Sequence, residues 1–286
     1  MNLTDINEIN ALLKRHGFRF SKSMGQNFLT AAWVPEDIAA SAGIDEDTGV
    51  LEIGPGIGCL TEQLSQKAGK VLCVELDNAL KPVLKETLSG CGNVEILFGD
   101  IMKQDIAALV SEKLPYKRRV LCANLPYNVT TPLITAVLKA KCFDSVTVMI
   151  QKEVAQRICA RPATSDYGAF TLLVGMYAKP EMLFTVPADC FVPQPKVTSA
   201  VVRLDVPDKP PVELKSEELF FRVVRAAFGM RRKTLLNALS SSFGEMGKEN
   251  IEKILTDCGF DPKVRGEVLS IGEFAKISDA FYNFSG

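Results

Sequence analysis

From residue 50 onward, short runs of β-branched and aliphatic residues alternate with stretches of helical periodicity. The runs lie at residues 50–53, 70–75, 94–98, 119–123 and 145–150. Parallel strands need long crossover connections, usually helical, so this alternation predicts βαβ units around a mostly parallel sheet. We therefore expect a Rossmann-like α/β fold, with any ligand bound where the strands end at their carboxyl side.

Two further strand patterns follow the parallel core, at residues 182–186 and 198–205, and the loop 187–197 joins them. A two-strand addition of this kind at the edge of the sheet is more typical of methyltransferases than of dehydrogenases. Together with the parallel runs it predicts a seven-stranded sheet.

Residues 206–211 (Val-Pro-Asp-Lys-Pro-Pro) form a stiff, polar break, and beyond them the strand patterns stop. Helical periodicity resumes after Ser216, a candidate N-cap residue. We predict a catalytic domain at residues 1–205, with a basic N-terminal arm over 1–30, and a small all-α domain at 212–286.

The composition is that of an ordinary globular protein, with 47% hydrophobic and 23% charged residues and a net charge of −1. The first residues carry no signal-peptide or transit-peptide pattern, and apolar runs are too short to span a bilayer, so we expect a cytoplasmic protein without a membrane role. The eight cysteines include no Cys-x-x-Cys pair and there is one histidine, so we expect no metal site.

The segment Glu52-Ile53-Gly54-Pro55-Gly56-Ile57-Gly58 joins the first strand to its helix. Glycines at such a turn let the backbone approach a ligand closely. The dinucleotide fingerprint places its third glycine one position later, so a NAD site fits less well. By itself this loop is equally consistent with a tight turn that binds nothing.

Two acidic residues favour a nucleotide cofactor. Glu75 closes the second strand at about the 20-residue spacing from the loop at which a carboxylate takes the ribose hydroxyls. Asp100 follows the third strand and could accept a hydrogen bond from an adenine amine. Either residue alone would more often be a solvated carboxylate, but the three strand ends together favour a site.

Asn124-Leu125-Pro126-Tyr127 follows the fourth strand. Tyr127 offers a ring face for a flat base, while the Asn124 side-chain oxygen and the Pro126 carbonyl can accept hydrogen bonds from an exocyclic amine. Such acceptors would orient the amine toward a methyl donor, so catalysis would rest on positioning and electrostatics. With the glycine loop, this segment predicts an S-adenosylmethionine-dependent amino-methyltransferase acting on nucleic acid.

Phe191, in a proline-stiffened loop, is a candidate to stack on the opposite face of the base, although an isolated phenylalanine is more often a core residue. Arg231, Arg232 and Lys233, which we expect at the start of a helix, are candidate phosphate contacts; the alternative is a solvated helix face.

These segments resemble the ribosomal RNA adenine N6-dimethyltransferases that dimethylate two adjacent adenines near the 3′ end of small-subunit (16S) rRNA. The similarity runs nearly end to end and is carried by residues 22–29, 52–58, 74–77, 99–100, 124–128, 131–133, 191–197 and 227–235.

The resemblance implies an S-adenosylmethionine site lined by Asn27, Leu29, Gly54, Glu75, Asp100 and Asn124. It implies that the target base is held by Asn124, Pro126, Tyr127 and Phe191. It also implies RNA contacts from Lys22, Arg231, Arg232 and Lys233, and a monomer acting on rRNA within an immature 30S-type subunit during small-subunit biogenesis.

Two alternatives stay open on the sequence. Large-subunit methyltransferases of the erythromycin-resistance type share the Asn-Leu-Pro-Tyr segment, although the Phe228-to-Leu235 segment favours the small-subunit family. The second alternative is a ribosome-assembly or RNA-binding factor whose catalysis is incidental.

Overall fold

The computed structural model describes residues 1–18 and 26–285. The chain divides into two compact units. The first combines Met1–Ala155 with Pro180–Val206, and the second combines Gln156–Lys179 with Pro207–Gly286. One division falls between Val206 and Pro207, but the segment Gln156–Lys179 groups with the helical unit rather than with the sheet. The predicted extents of the catalytic and helical domains stay a prediction.

The first unit is built on a seven-stranded sheet. Its strands are β2 (Thr48–Ile53), β3 (Lys70–Glu75), β4 (Val94–Phe98), β5 (Arg118–Asn124), β6 (Ser145–Gln151), β7 (Lys179–Val186) and β9 (Ser199–Asp205). Their order in the sheet is β4-β3-β2-β5-β6-β9-β7. A separate antiparallel pair joins β1 (Phe28–Leu29) to β8 (Phe191–Val192).

Strands β2 to β6 are parallel to their neighbours, whereas β9 is antiparallel to β6. All six residues of β2 are buried, as expected for a central strand covered on both faces. The expected seven-stranded, mostly parallel sheet is therefore confirmed.

Helices of the first unit connect the strands. They are α1 (Ile6–Arg15), α2 (Trp33–Ser41), α3 (Cys59–Ser65), α4 (Lys81–Thr87), α5 (Ile106–Lys113) and α6 (Thr130–Lys139), and α7 (Lys152–Ile158) runs across the unit boundary. Helix α1 begins where Asp5 accepts hydrogen bonds from the amides of Asn7 and Glu8. The polar start of the chain is therefore largely helical, and not simply an arm.

The register of the sheet brings the predicted site residues together. Glu52 pairs with Cys73 across β2 and β3, so that Glu75 follows two positions later on the same sheet face. Asn124 ends β5 opposite Met149. Because parallel strands end at one edge, the residues that follow β2, β3, β4 and β5 converge there.

The second unit is helical. It contains α8 (Ala169–Tyr177), α9 (Glu217–Gly229), α10 (Leu235–Ser242), α11 (Lys248–Asp257) and α12 (Ile271–Ser285). Ser216 caps α9 by accepting a hydrogen bond from the Leu219 amide, as its sequence position predicts. Phe220, Val223 and Val224 are buried on one face of α9, which contributes to the core of this unit together with buried residues of α10, α11 and α12.

Within the described residues no helix is long and apolar enough to cross a membrane. The same residues contain no group of three or more His, Cys, Asp or Glu side chains arranged to hold a metal ion.

Candidate active site

A cavity of about 1180 Å³, including its open mouth, lies at the carboxyl edge of the sheet in the first unit. Its walls come from β1 and from the residues that end or follow β2, β3, β4 and β5. They include Asn27, Leu29, Gly54, Glu75, Asp100, Asn124, Pro126 and Tyr127, so eight of the predicted cofactor and base residues meet in one place.

The glycine loop forms the floor of this cavity. Gly54 and Gly56 have φ angles of +72° and +61°, in the left-handed region that favours glycine. A Cβ atom on Gly56 would also lie 3.3 Å from the ring of Phe28. The backbone conformation of Gly56 therefore favours glycine, and a larger residue there would also need the Phe28 ring to shift by a few tenths of an ångström.

The Glu75 carboxylate fixes this loop and still faces the cavity. Its Oε2 accepts a hydrogen bond from the Gly56 amide at 3.3 Å, and its Oε1 accepts one from the Asp77 amide at 2.8 Å. Burial raises the pKa of the Glu75 carboxyl, and the two backbone hydrogen bonds oppose that rise. A carboxylate has about four acceptor positions, so it retains room for two hydroxyl groups.

Asp100 caps the short turn after β4 by accepting a hydrogen bond from the Met102 amide at 3.0 Å. That bond uses one carboxylate oxygen, Oδ1, and leaves Oδ2 for a ligand. Leu76 and Met102 also line the cavity and are 54% and 46% exposed. Two exposed apolar side chains beside a carboxylate suit a flat, amine-bearing ring such as adenine.

Sequence reasoning did not single out Leu76 and Met102. The signal was present, because an apolar residue directly follows Glu75 and another comes two positions after Asp100. Only their exposure distinguishes them from core residues.

Glu52 also lines the cavity, and the sequence analysis predicted no role for its side chain. It is 1% exposed, and the Cys73 thiol donates to its Oε2 at 3.5 Å. Burial, with a smaller contribution from the nearby Glu75 carboxylate, raises the pKa of Glu52 to about 7. The floor of the cavity therefore carries a carboxyl group that is partly protonated near neutral pH.

The Asn124-Leu125-Pro126-Tyr127 segment is a tight turn between β5 and α6. The Leu125 amide donates to the Met149 carbonyl at 3.1 Å, which ties the turn to β6. The Pro126 carbonyl accepts hydrogen bonds from the Val129 amide at 3.3 Å and from the Thr130 hydroxyl at 3.1 Å. A base amine would have to share this carbonyl oxygen, whereas the Asn124 side chain makes no hydrogen bond within the described residues.

Tyr127 is half-buried, and its ring lines the cavity. Its hydroxyl lies 2.5 Å from Ser199 Oγ. Burial raises the pKa of the Tyr127 phenol, and the Ser199 hydrogen bond opposes that rise. At neutral pH the ring is an uncharged aromatic surface suited to stacking.

Phe191 does not line the cavity with the other predicted residues. It pairs with Leu29 in the β1–β8 ladder and is 4% exposed, within the core cluster that covers the sheet. Its role in stacking on the base stays a prediction.

The predicted phosphate contacts lie in the second unit, except Lys22, which falls outside the described residues. Arg231, Arg232 and Lys233 occupy the turn between α9 and α10, and α10 begins only at Leu235 with Thr234 as its cap. The prediction that these cations start a helix is wrong, because the Thr234 hydroxyl caps the Asn237 amide.

Arg231 is engaged within its own unit. Its Nε donates to Glu267 Oε2 at 2.7 Å, its Nη1 to the Ser165 carbonyl at 2.7 Å and its Nη2 to the Thr164 carbonyl at 3.0 Å. Arg232 and Lys233 are exposed, and their side chains make no hydrogen bond or ion pair with the described part of the chain. The three cations therefore differ in their freedom to contact RNA.

Comparison with known proteins identifies a family that matches most of the chain. The family model for ribosomal RNA adenine dimethylases matches residues 17–281. The ribosomal RNA small subunit methyltransferase A of Geobacillus thermodenitrificans is 48% identical over 273 residues, which cover 94% of this chain and 93% of that protein.

Two solved structures share the fold. A dimethyladenosine transferase from Plasmodium falciparum has a TM-score of 0.74 at 25% identity, covering 90% of this chain and 98% of that one. The 23S rRNA methyltransferase ErmE has a TM-score of 0.67 at 25% identity, covering 88% and 98%.

The resemblance predicted from the motifs is thus confirmed over almost the whole sequence, including the glycine loop, the Asn-Leu-Pro-Tyr turn and the helical unit. The chain belongs to the ribosomal RNA adenine dimethylase family and is an rRNA adenine dimethyltransferase.

Proposed function

We propose that this protein uses S-adenosylmethionine to dimethylate N6 of two adjacent adenines near the 3′ end of small-subunit (16S) rRNA. The observation that carries the proposal is that Asn124 lines the same cavity as Glu75 and Asp100. An acceptor for an amine thus lies beside the carboxylates suited to a nucleoside cofactor.

The residues of the cavity fit S-adenosylmethionine. Glu75 would accept hydrogen bonds from the ribose hydroxyls through the acceptor positions that Gly56 and Asp77 leave free. Asp100 would accept from the adenine amine through Oδ2, with Leu76 and Met102 against the ring. Asn27, Leu29 and Gly54 line the same cavity. When bound, the cofactor supplies an electrophilic methyl group.

The Asn-Leu-Pro-Tyr turn would hold the target adenine. An aromatic amine is a poor nucleophile because its lone pair is delocalised into the ring. Hydrogen bonds from N6 to Asn124 Oδ1 and to the Pro126 carbonyl would favour a pyramidal nitrogen with a directed lone pair.

The Thr130 hydroxyl can make room at the Pro126 carbonyl. It lies 3.1 Å from the Pro126 oxygen and 3.5 Å from the Tyr127 carbonyl oxygen, so it can turn to the second acceptor when a base amine arrives. No general base is required, since a methylated aminium nitrogen is acidic enough to lose its proton to water.

Sequence identity to known proteins favours small-subunit over large-subunit rRNA as the substrate. The relative named as a small-subunit methyltransferase is 48% identical, whereas the 23S enzyme of known structure is 25% identical. This difference supports small-subunit rRNA as the substrate. A net charge of −1 supports a partly assembled 30S-type subunit in the cytoplasm over naked RNA, because ribosomal proteins can add contacts to a monomeric enzyme that is not strongly basic.

The proposal is tested with radiolabelled S-adenosylmethionine and under-methylated 30S and 50S subunits, offered separately. Labelled methyl groups should map to two adjacent adenines near the 3′ end of 16S rRNA. The Asn124→Ala variant is the control, and its labelling should fall on the order of 100-fold or more. Label on 23S rRNA instead would establish the large-subunit alternative, and binding to 30S subunits without transfer would favour an assembly factor.

A further inference from the structure

One hydrogen bond in the cavity wall joins two side chains that are far apart in the sequence, Tyr127 and Ser199. Tyr127 Oη and Ser199 Oγ are 2.5 Å apart, although the two residues belong to different strand connections. Ser199 is 0% exposed, and the described part of the chain offers its hydroxyl no other recorded partner. Because a buried hydroxyl without a hydrogen bond is costly, the two groups depend on each other.

The topology explains how Ser199 reaches the site. Strands β2 to β5 end at the cavity, and β6 runs parallel to β5, so the first residues of these strands lie at the opposite edge of the sheet. Strand β9 is antiparallel to β6, and its first residue, Ser199, pairs with Gln151 at the end of β6. The antiparallel strand therefore begins at the edge where the parallel strands end.

The position of Ser199 is fixed on both sides. The Lys152 amide donates to the Thr198 carbonyl at 3.0 Å, which holds the start of β9 against the end of β6. On the other side, the Leu125 amide and the Met149 carbonyl hold the turn that carries Tyr127. A bond between two anchored backbones restrains the aromatic ring between them.

The bond also determines what Tyr127 presents to a ligand. Tyr127 lines the cavity, and its hydroxyl is hydrogen-bonded to Ser199. The ring is thus held at both ends, by Cβ and by Oη, so it can swing aside only if the hydrogen bond to Ser199 breaks. A fixed ring face is what stacking requires, and the hydroxyl is not offered to the base.

We infer that Ser199 is a positioning residue for the target base, acting through Tyr127. The inference rests on the proposed function, and it assigns to the antiparallel strand a part in orienting the substrate. The Ser199 hydroxyl holds the plane of the Tyr127 ring, and the ring holds the adenine in line for two successive methyl transfers.

The test is a double-mutant cycle of Ser199→Ala and Tyr127→Phe, measured as single-turnover methyl transfer on under-methylated 30S subunits. Each single variant should slow transfer on the order of 10-fold, since small misplacement of a reactant is costly. The double variant should be no slower than either single one, because both remove the same bond. The ratio of monomethylated to dimethylated adenine should rise in all three, and S-adenosylmethionine affinity should stay unchanged.

Ser145→Ala is the matched control. Ser145 is another buried serine, on β6, and its hydroxyl has no hydrogen-bond partner within the described residues. This variant should methylate like the parent. Ser199→Thr, which keeps the hydroxyl, should restore most of the rate lost in Ser199→Ala.

Three outcomes would overturn the inference. Ser199→Ala could lower the melting temperature while its folded fraction transfers methyl groups at the parental rate, which would indicate a structural role alone. Rate losses that multiply in the double variant would show that the two hydroxyls act separately. An unchanged product ratio would exclude positioning of the base. A parent protein that methylates no rRNA would instead refute the proposed function.

Discussion

The Gly56 amide donates a hydrogen bond to Glu75 Oε2 at 3.3 Å. This bond joins the glycine loop after β2 to the end of β3, so one carboxylate both shapes the floor of the cavity and faces its interior. Loop conformation and cofactor recognition are thus coupled through a single side chain.

Glu75→Ala should weaken S-adenosylmethionine binding by roughly 1.5–3 kcal/mol, since hydrogen bonds to charged groups contribute about that much. Isothermal titration calorimetry would measure the loss. Glu95→Ala is the matched control, because Glu95 lies on the neighbouring β4 but pairs with Lys70 and Lys113 away from the cavity. Equal dissociation constants in the Glu75 variant and the parent would mean that the ribose does not bind at the end of β3.

Asn124→Ala should reduce methyl transfer on the order of 100-fold or more, because one lost transition-state contact typically has that effect. The fold and most of the cofactor affinity should be retained. Single-turnover kinetics with saturating cofactor, together with circular dichroism, would measure both. Turnover close to that of the parent would contradict the role of the Asn-Leu-Pro-Tyr turn in orienting the amine.

The free energy of unfolding should depend on pH through Glu52. Burial raises the pKa of Glu52 to about 7, above its ordinary value of 4.5. The folded state therefore holds this proton more tightly than the unfolded state, and stability falls as pH rises from about 4.5 to about 7. A difference of this size corresponds to about 3 kcal/mol.

Glu52→Gln, which stays neutral, should lack this loss and become more stable than the parent above pH 7. Urea unfolding of the cofactor-free protein between pH 5 and pH 8 would measure the difference. Glu95→Gln is the control, because the hydrogen bond from the Lys70 ammonium lowers the pKa of Glu95 below 4.5. The stabilising effect of Glu95 is therefore lost only below the pH range measured, and this variant should show the same pH dependence as the parent. A parallel pH profile in Glu52→Gln and the parent would contradict the shifted pKa.

The three cations of the turn between α9 and α10 should have two different roles, RNA binding for Arg232 and Lys233 and stability for Arg231. Arg232→Ala with Lys233→Ala should weaken binding to 30S subunits and lower the logarithmic salt slope by about 0.7–0.9 for each lost phosphate contact. The same two adenines should still be modified, since phosphate contacts position rather than specify. Salt titrations of subunit binding would measure the slope.

Arg231→Ala should act on stability instead, lowering the free energy of unfolding by about 1 kcal/mol or more through loss of its charge-assisted hydrogen bonds. The Arg231 guanidinium would lose its hydrogen bonds to Glu267 and to the Thr164 and Ser165 carbonyls in this variant. An Arg231 variant of parental stability with a reduced salt slope would make Arg231 a phosphate contact after all.

The sequence was sufficient for the features that depend on local pattern. Strand periodicity located β2 to β6, and strand ends in a parallel sheet necessarily converge, so Gly54, Glu75, Asp100 and Asn124 were expected in one cavity. Ser216 was recognisable as a helix cap because a capping hydroxyl acts on amides two or three residues away.

Only the tertiary structure decided the partners of side chains that are distant in sequence. The Tyr127 hydroxyl meets Ser199, Arg231 meets Glu267, and Phe191 is buried opposite Leu29. Nothing in the residues around Tyr127 or Arg231 distinguishes a tethered side chain from a free one. Such contacts depend on which strands and turns become neighbours, and that is fixed by the packing of the whole chain, not by local periodicity.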